Sequence, residues 1–178
     1  MKAILMSIKP QHICNILNDI KLLEIRKKFP KDYIGWVYIY CTKNTSLGWV
    51  NEWLRKNKKE LPAIHIGKVV ARFWCDKVEE IKFYDKDIQR QACLTEDELF
   101  DYLFINELYH EDMHKGYGIS ITKLEIFNKP KEISEFKHIC PNVMCDSCKY
   151  GDKEIDRALP ICKRQLTRAP QSWCYIEI

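Results

Sequence analysis

Residues 19–26 read Asp19-Ile20-Lys21-Leu22-Leu23-Glu24-Ile25-Arg26, and the organisation of the whole chain follows from them. The alternation of side chains predicts a strand over residues 21–26. Such a strand would turn Glu24 and Arg26 to one face beside Leu22, and Lys21 to the other face near the start of the strand. Charged groups of both signs are therefore expected to meet at the entrance of this strand.

A short segment before this strand, Ser7-Ile8-Lys9-Pro10, predicts the junction between a strand and a helix. Pro10 suits the first turn of a helix because its missing N–H group needs no partner there. The apolar spacing that follows predicts a helix over residues 11–18. The free N–H groups at its start favour an anion near Ser7 and Lys9, and the alternative is a capping turn without a ligand.

The rest of the chain alternates between extended and helical patterns. Apolar and aromatic runs predict strands over residues 2–8, 36–41, 117–127 and 172–178, and one bent strand or two strands over 67–84. Helices are expected over 48–59 and 95–110, the second of which begins with a capping box at Thr95 and Glu98. This order predicts an α+β fold, a small mixed β-barrel with helices packed outside it.

Composition sets the broad class of protein. The chain has 178 residues, 46% of them hydrophobic, and a net charge of +4, which fits one main domain and permits a polyanionic partner. It contains no apolar run long enough to span a membrane and no pattern of a signal peptide, so we expect a cytoplasmic protein without membrane association. With nine cysteines, an odd number, reduced thiols or metal ligands fit better than disulfides.

The segment 134–170 differs in kind from the rest of the chain, because it combines charged residues with four closely spaced cysteines. We predict an insertion at 134–170 within a barrel formed by residues 1–133 and 171–178. The spacing of Cys140-x4-Cys145-x2-Cys148-x13-Cys162 predicts a structural zinc site, with His138 as a substitute ligand. Free thiols and an iron–sulfur cluster are the alternatives.

Several motifs spread along the chain resemble those of the ASCH domain family. They are Ser7-Ile8-Lys9-Pro10, Lys21-x-x-Glu24-x-Arg26, Tyr40-Cys41-Thr42-Lys43, Gly67-Lys68-Val69-Val70 and Pro170-Gln171-Ser172-Trp173-Cys174-Tyr175. The resemblance implies a PUA-like β-barrel with a cleft between the barrel and the first helix. It further implies RNA or a nucleotide as ligand, often in a prokaryotic or phage setting.

Catalysis is implied less directly. Some small ASCH proteins are acetylcytidine amidohydrolases with the motif Gly-x-Lys-Thr-x-Thr-x-Arg, and others are ribonucleases. Lys21 and Arg26 match this motif, whereas Asp19, Leu22 and Glu24 replace its glycine and its two threonines. Lys21 and Glu24 are therefore candidates for an acid–base pair, and an ion pair without chemistry is the alternative.

We expect a charged cleft that binds RNA or a modified nucleotide. Glu24 would accept from the amino group of a base, Arg26 would contact a phosphate, and Trp173 would offer a stacking face. The complete set of predicted ligand-binding residues is Ser7, Lys9, Lys21, Glu24, Arg26, Tyr40, Thr42, Lys43 and Trp173, and Lys27, Lys28, Lys163, Arg164 and Arg168 would extend the footprint. The alternatives are a hydrolase of a nucleoside amide or RNA phosphodiester, and a protein-interaction adaptor that uses the cysteine segment.

Overall fold

The computed structural model describes residues 1–43, 48–104, 116–139 and 163–178, without the side chains of residues 163 and 164. The four cysteines predicted to bind zinc, Cys140, Cys145, Cys148 and Cys162, lie outside the described residues. The described chain contains ten strands and four helices. In chain order they are β1 (Lys2–Ile8), α1 (Pro10–Leu17), β2 (Leu23–Arg26), β3 (Gly35–Cys41), α2 (Trp49–Asn57), β4 (Val69–Cys75), β5 (Val78–Ile81), α3 (Lys86–Ala92), α4 (Glu96–Phe104), β6 (Gly116–Ser120), β7 (Thr122–Lys131), β8 (Lys137–Ile139), β9 (Lys163–Gln165) and β10 (Trp173–Glu177).

The strands form two sheets. The larger sheet has seven strands in the order β7-β4-β3-β1-β10-β8-β9, and the smaller has three in the order β2-β6-β5. Within the larger sheet β1 is parallel to β3 and antiparallel to β10, so both ends of the chain lie in its middle. The chain passes between the sheets at the connections β1–β2, β2–β3, β4–β5 and β6–β7. This mixed architecture confirms the predicted α+β class, and segment 67–84 forms two strands.

Three apolar clusters hold these elements together. The inner core joins one face of the seven-stranded sheet to α1 and β6, and includes Met6, Ile13, Ile39, Phe73 and Ile119. The second core lies on the opposite face of the same sheet and includes Leu5, Tyr38, Tyr40, Phe136 and Leu166. The third joins the three-stranded sheet to α3 and α4 through Leu23, Ile25, Ile88, Leu99 and Leu103.

The described parts of segment 134–170 belong to this framework. β8 pairs with β10, β9 pairs with β8, and Phe136 and Leu166 are buried in the second core. The division into a barrel and an insertion remains a prediction, and its described ends are ordered by strand pairing and apolar packing. Among the described residues, no helix is long and apolar enough to cross a membrane.

Strand β2 is shorter than predicted, because Lys21 and Leu22 precede it. The chain turns sharply at Asp19, whose φ is +55°, and the carbonyl of Asn15 accepts from the N–H groups of both Ile20 and Lys21. Lys21 is therefore tied to the end of α1 rather than to a strand neighbour. The alternation of strand side chains does not govern its direction, and the prediction that it faces away from Glu24 is wrong.

Candidate functional site

An open cavity of about 1110 Å³ lies between the start of α1, strand β2 with the loop that follows it, helix α4, and the start of β10. Its volume suits a ligand the size of a nucleotide. Most of the side chains that line it are charged, polar or aromatic. The residues are Ser7, Ile8, Lys9, Gln11, His12, Lys21, Glu24, Ile25, Arg26, Lys27, Lys28, Phe29, Thr42, Leu94, Glu98, Asp101, Tyr102, Leu103, Tyr117, Gln171, Ser172 and Trp173.

Three charged side chains from the opening stretch of sequence meet in this cavity. Arg26 Nη2 lies 2.9 Å from one carboxylate oxygen of Glu24, and Lys21 Nζ lies 3.5 Å from the other. Lys21 Nζ also donates to the carbonyl of Ala92 at the end of α3, at 2.6 Å. All three residues are buried, and Lys21 is only 2% exposed. Glu24 is therefore the common partner of two cationic side chains.

The electrostatics of this trio favour an ionised Glu24. Burial alone would raise the pKa of Glu24, but the nearby Lys21 and Arg26 outweigh burial and hold that pKa below its usual value. Arg26 Nη2 donates to the carbonyl of Ser7 at 2.7 Å, which ties the trio to strand β1. The Nε atom of Arg26 is buried and has no hydrogen-bond partner within the described part of the chain.

His12 lines the same cavity from the first turn of α1, and the sequence analysis missed it. Burial lowers the pKa of His12 to about 4, with a further contribution from the positive charge of Lys21. The imidazole is thus neutral at neutral pH, and it can both donate and accept a hydrogen bond. A single histidine in a helix gives no distinctive pattern, but Pro10 at the first helical position indicated that Gln11 and His12 open the helix beside Lys9.

The rim of the cavity carries cations and aromatic rings. Lys9, Lys27 and Lys28 line it, and none of the ion pairs found among the described residues involves them. Trp173 Nε1 donates to the carbonyl of Lys28 at 2.7 Å, and its ring contacts Phe29 edge-on with centroids 5.5 Å apart. Trp173 therefore braces the lysine-bearing loop against β10.

Seven of the nine predicted ligand-binding residues line the cavity. They are Ser7, Lys9, Lys21, Glu24, Arg26, Thr42 and Trp173. The hydroxyl of Ser7 donates to the carbonyl of Pro170 at 2.6 Å, whereas the hydroxyl oxygen of Thr42 is buried without a partner among the described residues.

Tyr40 and Lys43 lie elsewhere. Tyr40 is 6% exposed in the second core, because its position in β3 turns it to the opposite face of the sheet. The side chain of Lys43 lies over Gly67, where an added Cβ would come within 2.9 Å of Lys43 Cε. The cavity also has lining residues outside the predicted set, and these include Gln11, His12, Glu98, Asp101, Tyr102, Gln171 and Ser172.

A metal site is not evident in the described ranges, where no three side chains of His, Cys, Asp or Glu are grouped to hold an ion. The cavity offers charged, imidazole and aromatic side chains. These can accept from amino groups, donate to anions and stack on planar rings.

No family model matches the sequence, and a search of curated proteins found no match. Solved structures do match. The ASCH protein from Zymomonas mobilis is 13% identical, with a TM-score of 0.56 over 98% of this chain and 87% of that chain. Its serine-to-alanine variant gives a TM-score of 0.57 at 13% identity, over 98% of this chain and 88% of the variant. Its tyrosine-to-phenylalanine variant gives a TM-score of 0.55 at 13% identity, over 99% of this chain and 91% of the variant.

At this identity the likeness is one of fold, and it extends along nearly the whole chain. It agrees with the resemblance that the motifs of the sequence indicated. The protein therefore has the same fold as the ASCH protein from Zymomonas mobilis.

Proposed function

We propose that the protein binds RNA, a nucleotide or a modified nucleotide in the cavity that the start of α1 and strand β2 line. One observation carries this proposal: a buried, ionised Glu24 sits between two cations in an open cavity large enough for a nucleotide. Taking charges out of water is costly, and charged groups with shifted pKa values in a cleft are candidates for a functional site.

Glu24 suits the edge of a nucleobase. A carboxylate offers about four acceptor positions, and Lys21 and Arg26 approach one oxygen each. The carboxylate of Glu24 can therefore still accept a hydrogen bond from the amino group of a cytosine, adenine or guanine. Because the two cations hold the carboxylate ionised, this acceptor is present throughout the neutral pH range.

The phosphate contacts belong to the rim rather than to Arg26. The Nη2 atom of Arg26 is already engaged with Glu24 and with the carbonyl of Ser7, and its Nε is buried. Lys9 is the residue that precedes α1, and Lys27 and Lys28 follow β2 on the braced loop. Three lysines at the opening supply the positive field that draws in a phosphate or an RNA backbone.

Two aromatic side chains that line the cavity can stack on a base. Trp173 lines the cavity from β10, and Tyr102 lines it from α4 with 40% of its surface exposed. Stacking of one base on an aromatic ring contributes about 1–3 kcal/mol. A base held at Glu24 could therefore be sandwiched or flanked by these rings.

Binding without chemistry fits the geometry better than hydrolysis. Lys21 is 2% exposed and its Nζ is held by Ala92 and Glu24, so it would have to leave two partners to act on a substrate. His12, with a pKa near 4, carries no proton to donate as an imidazolium at neutral pH. We therefore favour the hypothesis of a binding domain over that of a hydrolase.

The test is a ligand screen by thermal shift at low salt. Nucleosides, nucleoside monophosphates and short RNAs are added to the wild-type chain and to Lys21→Met, Lys27→Gln and, as a control, the exposed Lys77→Gln. A true ligand raises the melting temperature because it binds the folded state. Lys27→Gln should weaken the shift and Lys77→Gln should leave it unchanged.

The same screen separates the alternatives. Turnover of a ligand by the wild type, lost in Lys21→Met while binding persists, would identify a hydrolase. If no nucleoside, nucleotide or RNA changes the melting temperature at low salt, nucleotide binding is ruled out and the adaptor role is favoured.

We also propose that zinc is held by Cys140, Cys145, Cys148 and Cys162. The support lies in the spacing of these cysteines and in the register of the described strands, where Ile139 pairs with Lys163. These two residues directly precede Cys140 and follow Cys162 in the sequence, so the described strands next to the cysteine segment are paired. In the cytoplasm, the predicted location, thiols stay reduced and available to a metal.

A further inference from the structure

Aromatic side chains form a patch on β3, β4 and β7, at the β7 edge of the seven-stranded sheet. Trp36 of β3 lies opposite Trp74 of β4 in the strand register, and the ring centroids are 5.4 Å apart at an interplanar angle of 82°. Tyr38 and Phe127 continue the patch with centroids 6.0 Å apart. These residues alternate with inner-core residues such as Phe73, so they occupy the face turned away from the inner core.

Cationic groups are interleaved with these rings. The guanidinium carbon of Arg72 lies 4.0 Å from the ring centroid of Trp36. Arg72 donates from Nη1 to the hydroxyl of Tyr38 at 3.1 Å and from Nε to Glu125 at 2.7 Å, which fixes its plane. Lys123 Nζ lies 5.7 Å from the centroid of Trp74, and Lys131 Nζ lies 5.6 Å from that of Phe127.

We name six residues the aromatic face: Trp36, Arg72, Trp74, Lys123, Phe127 and Lys131. Tyr38 adjoins them but is 6% exposed and belongs to the second core. Trp36, Trp74 and Phe127 are partly accessible, and Lys123 is exposed. Three ring–cation pairs lie together on one face of three adjacent strands.

The charges of the aromatic face favour an anionic ligand. The carboxylate of Glu125 is engaged with Arg72, and neither Lys123 nor Lys131 is in an ion pair found among the described residues. Rings for stacking, a fixed guanidinium plane and two lysines for phosphates are the features with which proteins hold single-stranded nucleic acid without sequence preference.

The aromatic face is separate from the cavity. Trp36 stands near the start of β3, whereas Thr42, which lines the cavity, follows the end of the same strand. Six residues of extended chain span about 20 Å. We propose that the aromatic face is a second site, which binds single-stranded nucleic acid by base stacking and does not depend on the cavity.

The test measures the fluorescence anisotropy of a fluorescein-labelled uridine octamer at low salt. Trp74→Leu should bind about tenfold more weakly than the wild type, because one stacking platform is lost. Trp74→Phe keeps an aromatic face and should stay within about twofold of the wild type. Lys123→Gln should lower the slope of log affinity against log salt by about 1, and the exposed Lys86→Gln is its matched control.

The melting temperature of each variant shows that it is folded, and Lys123→Gln keeps the test decisive if Trp74→Leu is unstable. The proposal is overturned if the wild type fails to bind the octamer at low salt. It is equally overturned if Trp74→Leu and Lys123→Gln bind as the wild type does, which would leave the cavity as the site of any RNA binding.

Discussion

Arg26 holds the carboxylate of Glu24 at 2.9 Å, and the two side chains are only 10% and 7% exposed. Such a pair has given up most of its hydration, so each charge depends on the other and on Lys21. Lys21 and Arg26 keep Glu24 ionised, and burial, together with the positive charge of Lys21, lowers the pKa of His12. The charge states of Glu24 and His12 are therefore fixed before any ligand binds.

Glu24→Gln should lower the free energy of unfolding by about 3 kcal/mol, because it leaves two buried cations without their counter-charge. Urea unfolding at pH 7 measures the change. Glu79→Gln is the matched control, since Glu79 forms an exposed ion pair with Lys77 and its loss should cost less than about 1 kcal/mol. Equal stabilities of the two variants would contradict a buried, mutually dependent trio.

His12 should make the protein less stable in mild acid. Its pKa is about 4 in the folded state and near 6.5 when unfolded, so the unfolded chain binds more protons between these values. The contribution is fully present above pH 6.5 and is lost as the pH falls towards 4. Over that window we expect a loss of about 3 kcal/mol.

His12→Gln isolates this effect. The variant should show a flatter dependence of unfolding free energy on pH between 6.5 and 4 than the wild type. Burial also lowers the pKa of His138, which contributes with the same sign but remains in both proteins. Glu24 loses its contribution only below its unfolded pKa, near 4.5. Parallel pH curves for wild type and variant would show that His12 is not held neutral.

The sequence predicted the elements whose signal is local. Strands β1, β3 and β10 carry dense β-branched and aromatic residues, and the trio of Lys21, Glu24 and Arg26 stands within six positions. Helix α3 was missed because it is short and buries little beyond Ile88 and Ala92, although Asp85 caps its first turn. The apolar periodicity of this short segment is too weak to predict a helix.

Other features depend on contacts between distant segments. Tyr40 is buried because the second core also receives Phe136 and Leu166, which follow it by many residues. Lys21 faces Glu24 because the carbonyls of Asn15 and Ala92 hold its two ends. His12 reaches the trio only through the packing of α1 beside β2. These contacts join segments that lie far apart in the sequence, so patterns among neighbouring positions could not predict them.

Trp173→Phe should have a larger effect on the affinity for a ligand than on the stability of the folded protein. The variant loses the hydrogen bond from Nε1 to the carbonyl of Lys28, which is exposed enough for water to replace, so we expect a loss of about 1 kcal/mol or less in stability. The loop with Lys27 and Lys28 loses its brace, however, and the affinity for a nucleotide should fall several-fold. Calorimetric titration with the best ligand of the screen measures this fall.

Trp49→Phe is the control for this substitution. The Nε1 atom of Trp49 is buried without a hydrogen-bond partner in the described part of the chain, so its removal should be neutral or stabilising. Its helix, α2, contributes no residue to the cavity lining, and ligand affinity should not change. Equal affinities for both variants would show that the brace at Lys28 has no role in binding.

Zinc should be present at about one ion per chain in protein purified without chelator, because four thiolates at the spacing of Cys140, Cys145, Cys148 and Cys162 can close a tetrahedral site. Elemental analysis measures the content. Cys145→Ser and Cys148→Ser should each lower it, whereas Cys93→Ser should not, since Cys93 caps α3 and its thiol contacts the carbonyl of Ile20 at 3.3 Å. Iron with visible absorption would indicate a cluster instead. A metal content near zero would leave the four cysteines as free thiols.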